Sequence, residues 1–381
     1  MNASSLCRRG ALALLALALA GPALAQAPRS PTPAAVDGPL AVTEVARGFD
    51  HPWGLAFLPD GRMLVTERSG RLQLVEPDGK SRRPVTGVPT VRAAGQGGLL
   101  GIALSPTFER DRLVYLSFSE AGEGGAGTAV ARGSLNDARL DNVQVIWRQV
   151  PKVSGTNNHW GSRLVFARDG TLFITTGDRY SERPRVQDLT STIGKVVRIN
   201  ADGSIPKDNP FVGRADARPE IWSFGHRNLQ GAALQPATGQ LWTLEHGARG
   251  GDELNAPQAG RNYGWPVITY GVDYSGVKIG EGTAKAGMEQ PVYYWDPVIA
   301  PSGAAFYTGD LFPQWKGQLF VGSLTPGALV RLKLEGGKVA EEVRYLPGVG
   351  RVRDVVQGPE GALYLLIDAG DGKLLRVTPR S

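Results

Sequence analysis

The chain has 381 residues, with 51 glycines, 27 prolines, one cysteine and a formal net charge of +6 at pH 7. So small a basic surplus, with no long basic run, argues against nucleic-acid binding and would suit a small anionic ligand. The lone cysteine, Cys7, excludes a disulfide scaffold, so a packed core must hold the fold.

The first 25 residues read as a signal peptide. Arg8 and Arg9 form a basic start, Ala11 to Ala20 an apolar core too short to span a bilayer, and Ala23-Leu24-Ala25 a small-x-small cleavage site. Cleavage after Ala25 would leave Gln26 as the first mature residue and send the protein to the periplasm or outside the cell. Arg8-Arg9 hints at twin-arginine export. No membrane span is expected. Residues 26–40, rich in Pro and Ala, are expected to be a flexible lead-in to a single domain over 41–381.

From there a turn followed by an apolar strand recurs six times. The copies are Asp60-Gly61 with Met63–Glu67, Asp111-Arg112 with Leu113–Ser117, Asp169-Gly170 with Leu172–Ile174, Thr238-Gly239 with Leu241–Leu244, Lys316-Gly317 with Leu319–Val321, and Glu360-Gly361 with Leu363–Leu366. Six units at roughly blade spacing predict an all-β fold, a six-bladed β-propeller of four-stranded antiparallel blades. A large β-sandwich explains the regular copies less well. Wide gaps between copies must hold insertions, the longest near Gly260–Gln290.

Of the four histidines, none pair at a zinc-like spacing. His159 precedes the run Leu164–Phe166, and Asp178 follows the run Leu172–Thr176. If these runs pair as a hairpin across Asp169-Gly170, His159 and Asp178 can meet as a general base and its carboxylate. The alternative is a histidine that caps a loop. The stretch Gly247–Asn255 offers turning glycines with Asp252 and Glu253, a mixture of carbonyl and carboxylate oxygens suited to Ca²⁺, though without EF-hand spacing. A plain turn is the alternative. Arg351 and Arg353 flank Val352, so in a strand they share a face and can clamp carboxylates; an exposed charged face is the other reading. Gln96 lies in the glycine-rich run Gly95–Gly101, which lacks the spacing of a nucleotide loop.

Taken together, the stretches His51–Phe57, Gly95–Gly101, Asn158–Arg163, Gly194–Ile199, Gly225–Gly231, Gly251–Asn255, Asn262–Pro266 and Arg351–Val355 resemble the soluble aldose sugar dehydrogenases that use pyrroloquinoline quinone. The resemblance runs in order over nearly the whole chain after residue 45. It implies a propeller carrying the quinone on one face, with His159 as the base that takes the proton of the sugar's anomeric hydroxyl. Hydride then passes to the quinone, and a lactone leaves. It further implies Asp178 as the orienter of the base, and Arg227 and Asn228 beside the reacting carbonyl. Arg351 and Arg353 would clamp the quinone carboxylates, and Gln96 would be a polar pocket residue. Tyr274 and Trp295 would be aromatic walls. The carbonyls of Gly247 and Ala248 would hold a Ca²⁺ on the quinone, and Glu253 with the carbonyl of Tyr263 a second, structural Ca²⁺.

The chain departs from this pattern in three places. Thr325 stands near where relatives carry a lysine, so one cation on the quinone is missing or comes from elsewhere. Ala248 replaces a proline, a tolerable change where only a carbonyl is needed. Asn158 replaces an aspartate of the glucose-specific branch, which favours broader aldose use. A soluble or membrane-associated partner would accept the electrons, and the protein would be a monomer or homodimer. A Ca²⁺-dependent sugar-lactone hydrolase would leave Arg351 and Arg353 idle. A non-catalytic carbohydrate- or protein-binding propeller would leave His159, Asp178 and Arg227 idle.

Overall fold

The computed structural model describes residues 26–380; the leader read in residues 1–25 lies outside them. The chain forms six four-stranded antiparallel sheets, one of which gains a short fifth strand. The innermost, or first, strand of each sheet is Pro52–Phe57, Leu99–Leu104, Leu164–Phe166, Leu229–Leu234, Pro301–Phe306 or Val352–Gln357; in four sheets it is also first in sequence, while Ala35–Val36 and Leu40–Phe49 join the other two at the outer edge. Each of these touches the next, and the sixth returns to the first, so the sheets stand as blades around one axis. The architecture is a six-bladed β-propeller. Among the described residues no helix is long and apolar enough to cross a membrane.

All six turn–strand copies in the sequence prove to be the second strand of a blade, each paired antiparallel to its inner neighbour. The ring closes by a pairing that no local pattern announces. Leu40–Phe49 adds as the outermost strand of the sixth blade, antiparallel to Gly372–Pro379 near the other end of the chain. That pairing removes the open edge a linear array of sheets would leave. Cohesion between blades is apolar: Leu244, Leu254 and Trp295 of one blade pack with Leu319, Val321 and Val330 of the next. At about 1.5–3 kcal/mol per buried aliphatic side chain, such layers suffice without disulfides.

The expected lead-in is not free. Ala35–Val36 pairs parallel to Lys338–Tyr345, and the Ser30 hydroxyl donates to the buried Glu342 at 2.5 Å. The Ser30 hydroxyl thereby joins Tyr293, Trp295 and Arg344 as donors to this buried carboxylate, which pins the segment.

Antiparallel connectivity assigns the loops to two ends. Links from first to second strands, including the Asp-Gly turns, fall at one end. Links from second to third strands, and from each outermost strand to the next blade, fall at the other. His51, Arg68, Gln96, His159, Asp178, Arg227, Gly247, Arg351 and Asp368 all sit in links of the second kind.

Candidate active site

The site-side ends of the inner strands are bulged. The register skips Trp53 between Pro52 and Gly54, Gln230 between Leu229 and Gly231, and Arg353 between Val352 and Asp354. A bulge re-aims the extra side chain. Trp53, Gln230 and Arg353 all line one central cavity of about 340 Å³, with His51, Arg68 and Asp368. Arg351 joins them from just before its strand, so the two arginines do converge, with a bulge between them rather than plain alternation. Arg353 donates to Gln230 Oε1 and Asp368 Oδ2, both at 2.6 Å.

Beside this cavity stands a histidine–carboxylate pair. Leu164–Phe166 and Leu172–Thr175 form the expected hairpin, and His159 Nδ1 meets Asp178 Oδ1 at 2.6 Å, both residues buried. Asp178 accepts two further bonds, from the Tyr180 backbone N–H at 2.8 Å and from Trp265 Nε1 at 2.9 Å. Burial raises the Asp178 carboxyl, but the bond from His159 and the charge of Arg227 outweigh it and hold it below the usual range. Burial likewise pulls His159 below its usual value, and Asp178 only partly restores it. A neutral imidazole with Nδ1–H directed at the carboxylate keeps the Nε2 lone pair available.

The loop carrying His159 is held in an uncommon conformation, with φ of 53° at His159 and 85° at Ser162, and Arg179 and Tyr180 across from it are also left-handed. The glycine-rich run explains how this loop is seated. A Cβ on Gly97 would lie 2.9 Å from the Trp160 ring, and one on Gly101 would lie 2.2 Å from the Ser162 carbonyl. These glycines admit close backbone approach rather than a phosphate. Gln96 Oε1 accepts the His159 backbone N–H at 2.9 Å.

Arg227 and Asn228 follow in the link into the fourth blade. The Arg227 backbone N–H donates to Glu245 at 2.6 Å and its Nη1 to the His246 carbonyl at 3.0 Å, while its Nε and Nη2 are buried without partners. Asn228 Oδ1 accepts the Gly161 N–H at 3.2 Å, and its Nδ2 is also unpartnered. Unmet buried donors cost roughly 1–3 kcal/mol each, so a ligand that accepts from them is well matched to the site.

The Gly247–Asn255 loop differs from its reading in one respect. Asp252 is no free ligand: its oxygens accept the backbone N–H groups of Gly247, Ile299 and Ala300 at 2.7–2.8 Å. It shapes the loop, although burial raises it to about 6. Glu253 faces a narrow space lined also by Gly247, Tyr263 and Glu245. Burial and the neighbouring Glu245 carboxylate raise it well above its usual value, and one bond from Asn255 Nδ2 at 3.2 Å relieves it little.

Two expected aromatic walls lie elsewhere. Trp295 is fully buried in the core between blades, its indole N–H on Glu342 at 3.2 Å, because its strand turns it toward the neighbouring blade. Tyr274 is 57% exposed on the insertion, outside the lining of the central cavity. Trp265, Arg68, Asp368 and Glu245 were not singled out in the sequence. For Trp265 the only signal was its place in Asn262–Pro266. The insertion brings it to the site end, where it bonds Asp178 and lies 5.2 Å from the Arg227 guanidinium.

The glucose/sorbosone dehydrogenase family model matches residues 49–376. The aldose sugar dehydrogenase YliI of Escherichia coli is 50% identical over 340 residues, covering 87% of this chain and 91% of that protein. The solved apo-form soluble aldose sugar dehydrogenase of Escherichia coli has a TM-score of 0.87 at 48% identity, covering 90% of this chain and 100% of that one. The PQQ-bound aldose sugar dehydrogenase of Streptomyces coelicolor has a TM-score of 0.76 at 30% identity, covering 89% and 98%. With a family match over most of its length and a half-identical relative across the same span, the chain belongs to the glucose/sorbosone dehydrogenase family.

Proposed function

We propose that this protein is a quinoprotein that oxidises aldose sugars at the anomeric carbon to lactones, with pyrroloquinoline quinone and Ca²⁺ as cofactors. The observation that carries the reading is the buried His159–Asp178 pair beside the unpartnered donors of Arg227 and Asn228. His159 Nε2 takes the proton of the anomeric hydroxyl, and Asp178 holds the ring and stabilises the imidazolium. The quinone, when bound, supplies the acceptor for the hydride. Arg227 and Asn228, whose buried donors lack partners, would donate to an acceptor oxygen of the bound quinone and favour negative charge on it. Arg351 and Arg353 would hold its carboxylates, and Gln96 positions the His159 backbone.

The donor chemistry fits Ca²⁺ at two places. The carbonyls of Gly247 and Ala248 would hold the ion on the quinone. Glu253 and the Tyr263 carbonyl would hold a second, which would offset the buried Glu253, a carboxylate with no ion-pair partner among the described residues, and its neighbour Glu245, whose only such partner there is His226 Nδ1 at 3.0 Å. Export through the leader would place the reaction in the periplasm or outside the cell, with a soluble or membrane-associated electron acceptor.

The test is dye reduction by purified protein given pyrroloquinoline quinone and Ca²⁺ with a panel of aldoses. Reduction that needs sugar, quinone and Ca²⁺ together supports the reading. Lactone opening without quinone, or inactivity throughout, overturns it.

A further inference from the structure

The central cavity carries more positive charge than the arginine pair alone. Arg68 enters it from the link after Met63–Glu67 in the first blade, beside the sixth blade that carries Arg351 and Arg353. Its stem is well seated: its Nη1 donates to the Gly95 carbonyl at 2.9 Å, and its own carbonyl would lie 1.8 Å from a Cβ on Gly98, so only glycine admits this approach. The rest of the guanidinium is under-used. Nε is buried with no partner, and Nη2 stands 3.6 Å from Asp368, beyond hydrogen-bond distance.

Among the described residues Asp368 is the only carboxylate lining the cavity, and it is already engaged. One oxygen accepts from Arg353 at 2.6 Å and the other meets His51 Nδ1 at 2.8 Å. Arg351 has only a long contact to the Leu324 carbonyl at 3.4 Å. Three guanidiniums therefore face one carboxylate. Burial draws Arg68 below its usual value; Asp368 opposes this, and Arg353 and Arg351 add to it. Thr325, next to the cavity-lining Leu324, contributes no charge.

We propose that Arg68 is a third guanidinium of a polycarboxylate site, binding one ligand carboxylate while Arg351 and Arg353 take others. The ligand class is a flat molecule with several carboxylates. Pyrroloquinoline quinone, which has three, is the member that the proposed function implies, and to that extent the inference rests on that reading. Arg68 thereby supplies the cation that Thr325 does not.

The experiment measures binding, not turnover. Wild type, Arg68→Met and Arg68→Lys are titrated with pyrroloquinoline quinone plus Ca²⁺ and, separately, with benzene-1,3,5-tricarboxylate without metal. Thermal midpoints check folding. Arg68→Met is expected to weaken both probes at least tenfold, with Arg68→Lys between it and wild type. Affinity of Arg68→Met within twofold of wild type, for a probe that wild type binds, overturns the inference and leaves the proposed function standing. If wild type binds the tricarboxylate through Arg68 but not the quinone, the inference stands and the proposed function fails. Binding of neither probe to wild type overturns both. If Arg68→Met does not fold, dicarbonyl labelling of wild type reads the same contact by mass spectrometry. Protection of Arg68 by bound probe supports the proposal, and undiminished labelling defeats it.

Discussion

Among the described residues, two of the three histidine–carboxylate pairs at the site end of the propeller, those that border the central cavity, have different surroundings. His159–Asp178 and His51–Asp368 have similar Nδ1 to oxygen distances, 2.6 and 2.8 Å. The His159 side chain is 8% exposed and that of His51 41%. Asp178 takes its other bonds from neutral donors, a backbone N–H and an indole, so the histidine is its main claimant. Asp368 is shared with Arg353 and approached by Arg68, whose charges overcome burial and hold it at about 2. His51 is therefore one of several claimants on Asp368. The first pair has the isolation that the proposed base requires; the second is part of a wall with more guanidiniums than carboxylates.

Exchanging the two histidines for alanine gives the largest contrast. His159→Ala is expected to lower kcat by about 10²–10⁴-fold, the usual worth of a positioned base, while quinone affinity by titration changes little. His51→Ala should keep kcat at saturating cofactor within about fivefold. Similar losses in both would erase the distinction. Arg353→Ala is next: it should weaken quinone binding about 30-fold, as expected when one partner of a buried charge pair is truncated. Equal affinities in a fluorescence titration would remove Arg353 from the clamp.

Trp265→Phe sharpens the comparison, because it removes a neutral donor from Asp178 and keeps an aromatic ring. A kcat loss of about tenfold with KM nearly constant is expected from a loosened base. A change confined to KM would assign Trp265 to sugar binding instead. The subtlest effect is in pH. The base works neutral, and burial lowers His159 from 6.5, so kcat/KM should rise with pH and level off at a midpoint below 6.5. Asp178, itself lowered, stays ionised through that limb. A midpoint above 7.5 in a pH–rate profile would contradict the burial account.

Local patterns carried much of this protein in its sequence. Turn residues followed by alternating apolar strands marked the second strand of every blade, because a turn and the strand after it are set by neighbouring residues. His159 and Asp178 could be paired on paper because one hairpin separates them. Glu253 stood out as a buried-site acid only through its glycine-rich setting. What tertiary structure alone decided is of longer range. The ring closes between Leu40–Phe49 and Gly372–Pro379, and the cavity joins His51 and Arg68 to Arg353 and Asp368, some 300 positions away. Trp265 reached Asp178 only through the path of a long insertion. Trp295 was misplaced because strand alternation separates two faces, and in a propeller blade both faces are buried. Which one meets a neighbouring blade and which approaches the axis depends on how the sheets twist and pack, and no short stretch of sequence contains that.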